Sequence, residues 1–145
     1  MGLFDMLAIS ASALTAERQR AEVTSSNLAN AETTKTNTGG PYVRKEVVFS
    51  GANASPFSSV ISQLGAATGT VRISDVIDDP TPPIQRYEPG NPDADDNGFV
   101  AYPAINPMNE MVDLMGASRA YQLNASAVTA AKQMIQESID ILKSS

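Results

Sequence analysis

One apolar stripe through residues 106–145 leaves this chain few ways to fold. Leu114, Tyr121, Val128, Ile135 and Leu142 recur every seven residues, and Met111, Ala125 and Ile139 stand three ahead of members of that series. This is the spacing of one face of a long helix. Asn106 can accept a hydrogen bond from the free amides of a first helical turn, and Pro107 suits the first helical position, where no donor is needed. Beyond Pro107 only Gly116 weakens the helix. About 37 residues at roughly 1.5 Å each make a rod of about 55 Å, longer than a compact domain of 145 residues requires. Such a helix needs a partner. Ser118 and Lys132 interrupt the stripe and Ala125 thins it, which predicts close, register-specific packing and not an oily Leu interface.

Residues 3–30 offer that partner. Phe4, Leu7, Ala11, Leu14, Ala21 and Leu28 follow a three-four alternation, with Arg18 and Ser25 as polar interruptions. Two similar helices at the ends of one chain are expected to pair. From Ala31 the sequence turns polar and reaches the breaker Gly39-Gly40-Pro41, so the first helix stops near Asn30. Val43, Val47 and Phe49 then alternate with Arg44, Glu46 and Val48 as in a half-buried strand. Ser55-Pro56 opens a short helix carrying Phe57, Val60, Ile61 and Leu64 and closed by Gly65. Residues 71–77, 84–87 and 99–102 read as short strands, and the prolines of residues 78–83 forbid a continuous ladder. The expected fold is mainly α with a small β insert, an α+β chain. Residues 1–31 and 106–145 form long helices paired as a coiled coil, and residues 32–105 form a linker and an acidic, β-containing middle.

Charge and composition exclude several function classes. The net charge of −6 lies almost wholly in residues 75–98, where Asp75, Asp78, Asp79, Glu88, Asp93, Asp95 and Asp96 face Arg86 alone. The helical ends are near neutral, and no basic stripe offers a footprint for nucleic acid. With neither Cys nor His, the chain has no disulfides, zinc sites or imidazole catalysis. No run reaches the roughly 18–20 apolar residues of a membrane span. Residues 6–16 are apolar like a signal-peptide core, but the first basic residue is Arg18, so no cleaved leader is expected.

Candidate sites each have an ordinary counterpart. Asp93-Ala94-Asp95-Asp96-Asn97-Gly98 offers oxygens at positions 1, 3 and 5 and the turn glycine of a calcium loop. Ala104 stands where the bidentate Glu belongs, however, and Pro92 and Pro103 bracket the loop. A solvated turn built on Asp and Asn side chains is the better reading. No nucleophile elbow, phosphate loop or dinucleotide fingerprint occurs, so neither an enzyme nor a cofactor is expected. The sequons at Asn53 and Asn124 are read as chance. Met108, Met111, Met115 and Met134 suit adaptable packing within a helix seam better than a promiscuous groove. Tyr121 is expected to be a buried anchor.

Several motifs carry a resemblance. Ser25-Ser26-Asn27-Leu28-Ala29-Asn30-Ala31, followed by Thr33-Thr34 and Gly39-Gly40-Pro41-Tyr42, resembles the N-terminal signature of bacterial flagellar rod and hook proteins. The runs that start at Tyr87, Gly98, Asn106, Ala117 and Ala131 continue the likeness in order over nearly the whole chain, although Gly90-Asn91-Pro92 stands where the family commonly shows Gly-His-Pro. The chain thus resembles the flagellar basal-body rod protein family, closest to its proximal rod. The resemblance implies a non-enzymatic structural subunit whose terminal helices form the inner coiled-coil domain of a torque-transmitting helical tube in the periplasm. It implies Ser26, Asn27, Leu28, Ala29 and Asn30 as signature residues. Assembly along the seam would use Phe4, Leu7, Leu14, Leu28, Met111, Leu114, Tyr121, Val128, Ile135, Ile139 and Leu142. The implied partners are further copies, neighbouring rod proteins of the FlgB, FlgF and FliE types, and the flagellar type III export gate, with no nucleic acid or small-molecule substrate. Phe57 and Ile61 match a loose gate-binding pattern and serve equally as core residues. The alternative is a free-standing helical adaptor that binds one partner through the same seam.

Overall fold

The structure, a computed structural model, describes residues 3–51 and 69–143. The expected short helix at 55–65, with Phe57 and Ile61, and the sequon at Asn53 lie outside the described residues. The described elements are α1 (Leu3–Ala29), β1 (Lys45–Gly51), β2 (Val71–Asp78), β3 (Ile84–Tyr87), β4 (Phe99–Tyr102) and α2 (Pro107–Lys143). Two long helices with small antiparallel sheets between them make an α+β fold.

The helix ends follow their capping residues. Asn106 Oδ1 accepts the Met108 amide at 3.0 Å and the Asn106 carbonyl accepts the Glu110 amide at 3.2 Å, so α2 starts at Pro107. At the end of α1, Asn30 Nδ2 donates back to the Ser26 carbonyl at 2.9 Å. The Asn30 carbonyl takes the Thr33 amide at 3.1 Å.

α1 and α2 pack side by side. Asn27 meets Glu110, and Arg20 meets Asp113 further into α2, so the helices run antiparallel. On the shared face the seven-spaced series Leu7, Leu14, Ala21 and Leu28 is half-buried, as are Leu114, Val128 and Ile135. The companion positions differ from expectation in both helices. Of the positions three residues ahead of each series, Phe4, Ala11 and Arg18 on α1 and Met111, Ser118, Lys132 and Ile139 on α2 face outward, and Ala125 is half-buried. The inward positions lie three residues after each series: Ser10, Glu17 and Thr24 on α1, and Ala117, Asn124 and Ala131 on α2. The buried ones among them, Thr24, Ala117 and Ala131, are small, because two helix backbones can approach closely only where bulk is absent.

Among the described residues the insert holds two antiparallel strand pairs. β1 and β2 pair antiparallel, and Ser74 is the extra residue of a bulge opposite Val48 and Phe49. Its hydroxyl bonds the Val48 carbonyl at 3.1 Å. The bulge breaks the alternation: Val47 is half-buried, but Phe49 is exposed and Ser50 takes the inner position. This hairpin rests on α1, where the Val71 amide donates to Ser12 Oγ at 3.1 Å. β3 and β4 pair in register from Ile84–Tyr102 to Tyr87–Phe99. Tyr87 and Phe99 meet edge to face at 5.3 Å, and the Arg86 guanidinium lies 4.5 Å over the Tyr102 ring. The fully buried apolar residues among those described are Ala16, Val100, Ile105, Ala117 and Ala131, a thin core in which three of five members are Ala.

Two glycines on this frame should respond oppositely to a methyl group. Gly98 has φ +81°, and a Cβ there would sit 3.0 Å from Tyr87 Cε2 and 3.1 Å from Pro89 Cβ. Gly98→Ala is expected to destabilise by about 1–2 kcal/mol, whereas Gly116→Ala, in an open helical position, should stabilise by about 0.5–1 kcal/mol. Urea denaturation of both variants checks the contrast. Acid acts on the same hairpin. The Asn91 side chain, and then the Tyr102 hydroxyl at 3.0 Å, hold the Glu88 carboxyl below its ordinary value of 4.5. A carboxyl lowered by folding stabilises the fold above its unfolded value and loses that contribution as pH falls through the folded one. The tyrosine near-ultraviolet signal should therefore be flat from pH 4.5 to neutral pH and decline below 4.5, with Asn91→Ala moving the decline to higher pH.

Candidate functional site

The signature segment lies at a junction of three elements. The Gly39-Gly40 turn, with φ +89° and +74°, folds the linker back along the end of α1. The Thr36 amide closes on the Gly40 carbonyl at 2.9 Å and the Tyr42 amide on the Thr33 carbonyl at 3.0 Å. β1 therefore begins beside Asn27, which is 1% exposed. The Asn27 carboxamide treats Lys45 as a neighbouring strand would: Oδ1 accepts the Lys45 amide at 2.9 Å and Nδ2 donates to the Lys45 carbonyl at 2.8 Å. The Tyr42 hydroxyl adds a third bond, to Oδ1 at 3.1 Å. Nδ2 also donates across the helix pair to Glu110 Oε2 at 3.1 Å.

Glu110 is as buried as Asn27, and a carboxylate in that position needs a cation. Arg44 supplies it through Nε at 2.7 Å from Glu110 Oε1. Arg44 Nη1 reaches Glu46 and, at 3.4 Å, Asp79. Partial burial pulls the Arg44 pKa down, but the hydrogen bond and charge of Glu110, joined by Glu46, outweigh it and hold the guanidinium above its ordinary value. α1, β1 and α2 are thus joined in one polar knot. Glu110 lies on the inward line seven residues before Ala117; an acid in a line of small seam residues was the available sign that it is buried.

Asn27→Ala would strand the Lys45 amide and carbonyl and one Glu110 oxygen. The expected cost is about 2–4 kcal/mol, since each unmatched buried group carries about 1–3 kcal/mol. Ser25→Ala, two residues away and exposed, should change stability by less than about 0.5 kcal/mol. Urea denaturation of the pair measures the difference.

The remaining signature residues surround this knot. Ser26 is exposed with Oγ 3.4 Å from the Tyr42 hydroxyl, Leu28 is half-buried, Ala29 is exposed, and Asn30 caps α1. The other seam residues divide. Leu7, Leu14, Leu114, Val128 and Ile135 are half-buried between the helices. Phe4, Met111, Tyr121, Ile139 and Leu142 are exposed, Phe4 and Leu142 at 77% and 78%. Tyr121 is therefore not the buried anchor expected; it stands at the rim of a cleft between α1 and α2. The methionines also differ from the seam reading: Met108, Met111 and Met115, with Val112, form an outward stripe at helical spacing.

Two acids of the acidic loop are engaged within the chain, Asp95 by its own turn and Asp93 by the linker. Asp95 Oδ1 accepts the Asn97 and Phe99 amides at 2.9 and 2.8 Å, and Asp93 Oδ2 accepts the Thr34 hydroxyl at 2.7 Å. Among the described residues no group of three or more acids is arranged to hold a metal, and no helix is long and apolar enough to cross a membrane. Asn124, the second sequon, lies within α2 and donates to the Ala120 carbonyl at 2.9 Å.

Comparison with known proteins agrees with this arrangement at both ends. Residues 7–35 match the family described as flagella basal body rod protein. Residues 96–141 match the flagellar basal body rod FlgEFG protein C-terminal family. The chain is 43% identical to the flagellar basal-body rod protein FlgC of Escherichia coli O6:H1 over 141 residues, covering 97% of this chain and 98% of the relative. It is 40% identical to that of Salmonella typhimurium with the same coverage. The FlgC of Bacillus subtilis is 37% identical over 150 residues, covering 99% of this chain and all of the relative. With its signature at the helix–hairpin junction and similarity running its full length, the chain belongs to the flagellar basal-body rod protein family, alongside its FlgC members, and is a structural protein of the flagellar basal body and not an enzyme.

Proposed function

We propose that the chain polymerises through its terminal helices into the wall of the proximal rod, a helical tube that carries motor torque across the periplasm. Residues 1–31 and 106–145 act as the inner coiled-coil domain, and residues 32–105 as the acidic insert outside it. The observation that carries this reading is the mismatch between a thin core and a rich surface. The buried apolar residues are few and mostly Ala, while Phe4, Met108, Met111, Met115, Leu123 and Leu142 stand exposed along both helices. Apolar surface on this scale calls for burial against neighbours. An adaptor that grips one partner would concentrate it in a single groove.

The neighbours in this reading are further copies and rod proteins of the FlgB, FlgF and FliE types. The chain reaches them through the flagellar type III export gate, Phe57 and Ile61 being its contact with the gate. Torque passes through the helix pairs, and the polar knot keeps the insert in fixed orientation to them. No nucleic acid, small-molecule substrate or cofactor takes part. Removing residues 136–145 should abolish incorporation into basal bodies while leaving the chain soluble, because residues 136–143 are all exposed and include Ile139, Ile141 and Leu142. Immunoblots of purified basal bodies together with a swimming assay read the outcome; normal motility would contradict the proposal.

A further inference from the structure

The chain holds no cysteine, histidine or tryptophan, so its methionine thioethers are the side chains that a mild peroxide oxidises most readily. Their spacing in the sequence points to the helix seam, where packing would shield them. The structure places them otherwise. All five described methionines are exposed, and three of them, Met108, Met111 and Met115 at 67%, 49% and 64%, stand on the outward face of α2. Residues 108 and 115 are about two turns apart, and at about 100° per residue the three side chains lie within roughly 60° of one another, with Val112 beside them.

The other two lie far from this patch. Met134 is 19 residues beyond Met115 on one continuous helix, roughly 28 Å, and Met6, near the start of α1, belongs to that same end because the helices run antiparallel. A hydroperoxide converts a thioether to a sulfoxide in one balanced step. A sulfur lone pair takes the terminal peroxide oxygen, the O–O bond breaks, and the departing oxygen keeps the proton as an alcohol, or as water where the oxidant is hydrogen peroxide. Sulfur is oxidised and the peroxide reduced. A methionine sulfoxide reductase returns the thioether, releasing the oxygen as water and oxidising two thiols to a disulfide. The sulfoxide is polar, and burying it among apolar groups with no donor to meet it is costly. Three of them within two turns would turn an apolar patch into a polar one.

We propose that Met108, Met111 and Met115 form a reversible oxidation site for hydroperoxides, whose state decides whether a copy of the chain can join the rod. This inference rests on the rod reading, in which neighbours cover this face, and adds to it a redox condition. In the free chain the three thioethers are within reach of the oxidant; in the rod they are not. A copy that carries the sulfoxides is held back until it is reduced, and a finished rod is insensitive to peroxide at these positions.

Leucine in place of methionine keeps the patch apolar and removes the sulfur. In cells that lack methionine sulfoxide reductases, growth with hydrogen peroxide should lower the amount of the unmodified chain in purified basal bodies several-fold. The triple variant Met108→Leu/Met111→Leu/Met115→Leu should change by less than about twofold, and Met6→Leu/Met134→Leu should fall as far as the unmodified chain. Equal losses in the unmodified chain and the triple variant, or full retention of the Met6/Met134 variant, overturn the inference and leave the rod reading intact. Because the triple variant could assemble poorly even without peroxide, the unmodified chain provides a second test. Peptide mass spectra from the peroxide-grown cells should show sulfoxide at residues 108–115 enriched at least about tenfold in chain outside the basal body over chain within it. Equal sulfoxide occupancy in the two pools overturns the inference. Absence of the unmodified chain from basal bodies of cells grown without peroxide would instead remove the rod reading, and the inference with it.

Discussion

Glu110 and Asn27 are buried side by side, and a carboxylate and a carboxamide can occupy such a place only when their lone pairs and N–H groups are matched. Each match comes from a different part of the chain. Asn27 belongs to α1, its strand-like partner Lys45 opens β1, Arg44 precedes that strand, and Glu110 sits in the first turn of α2. None of these groups is satisfied unless all the elements are in place. The helix crossing, the position of the first hairpin and the return of the linker through Gly39 and Gly40 therefore form together. Polar knots of this kind add less net stability than their number of bonds suggests. Their effect here is to favour one arrangement of elements whose apolar contacts are too small and repetitive to select it.

Away from the knot the helix pair has little to hold it. Ala117 and Ala131 let α1 and α2 approach closely but bury little area, Leu114, Val128 and Ile135 are only half-buried, and Met108, Met111, Met115, Leu123 and Leu142 are exposed. In an isolated globular domain this distribution would be a defect. In a subunit whose helices are walls shared with neighbours, the surface left bare by one chain is the surface that the next one covers. Stability then grows with each contact made. The acidic middle fits the same scheme: residues 75–98 carry the whole net charge, and the β3–β4 pair there is closed by its own Asp95 and Gly98 loop.

Much of this was legible in the sequence, and where it was not the cause is physical. Asn106-Pro107 marked the start of α2, and the residues at 84–87 and 99–102 gave β3 and β4 their bounds. The seven-residue series placed Leu7, Leu14, Ala21 and Leu28 of α1 and Leu114, Val128 and Ile135 of α2 on the shared face, but not Tyr121 or Leu142, which are exposed. The companion rows were misjudged because hydrophobicity pointed to Met111 and Ile139, whereas close packing selected Ala117 and Ala131. Hydrophobic period identifies a face that is buried somewhere, and cannot separate burial within a chain from burial between chains. Alternation alone does not reveal the bulge at Ser74 opposite Val48 and Phe49, and Phe49 is exposed although it lines the same cavity as Val47. The knot was half visible. Asn27 stood in the signature and Glu110 in a downstream motif, but their meeting depends on a fold-back through two glycines that brings residues 83 positions apart into contact.

Native-state hydrogen exchange along α2, compared between the isolated chain and purified rods, is the most direct measurement of a helix anchored by the knot and completed by neighbours. In the isolated chain, amides from residues 111–117, next to the buried Glu110 and Ala117, should be strongly protected, and those from 136–143 should exchange nearly as fast as an unfolded peptide. In rods both stretches should be protected. Uniform protection of α2 in the isolated chain, or continued fast exchange of residues 136–143 in the rod, would contradict the account.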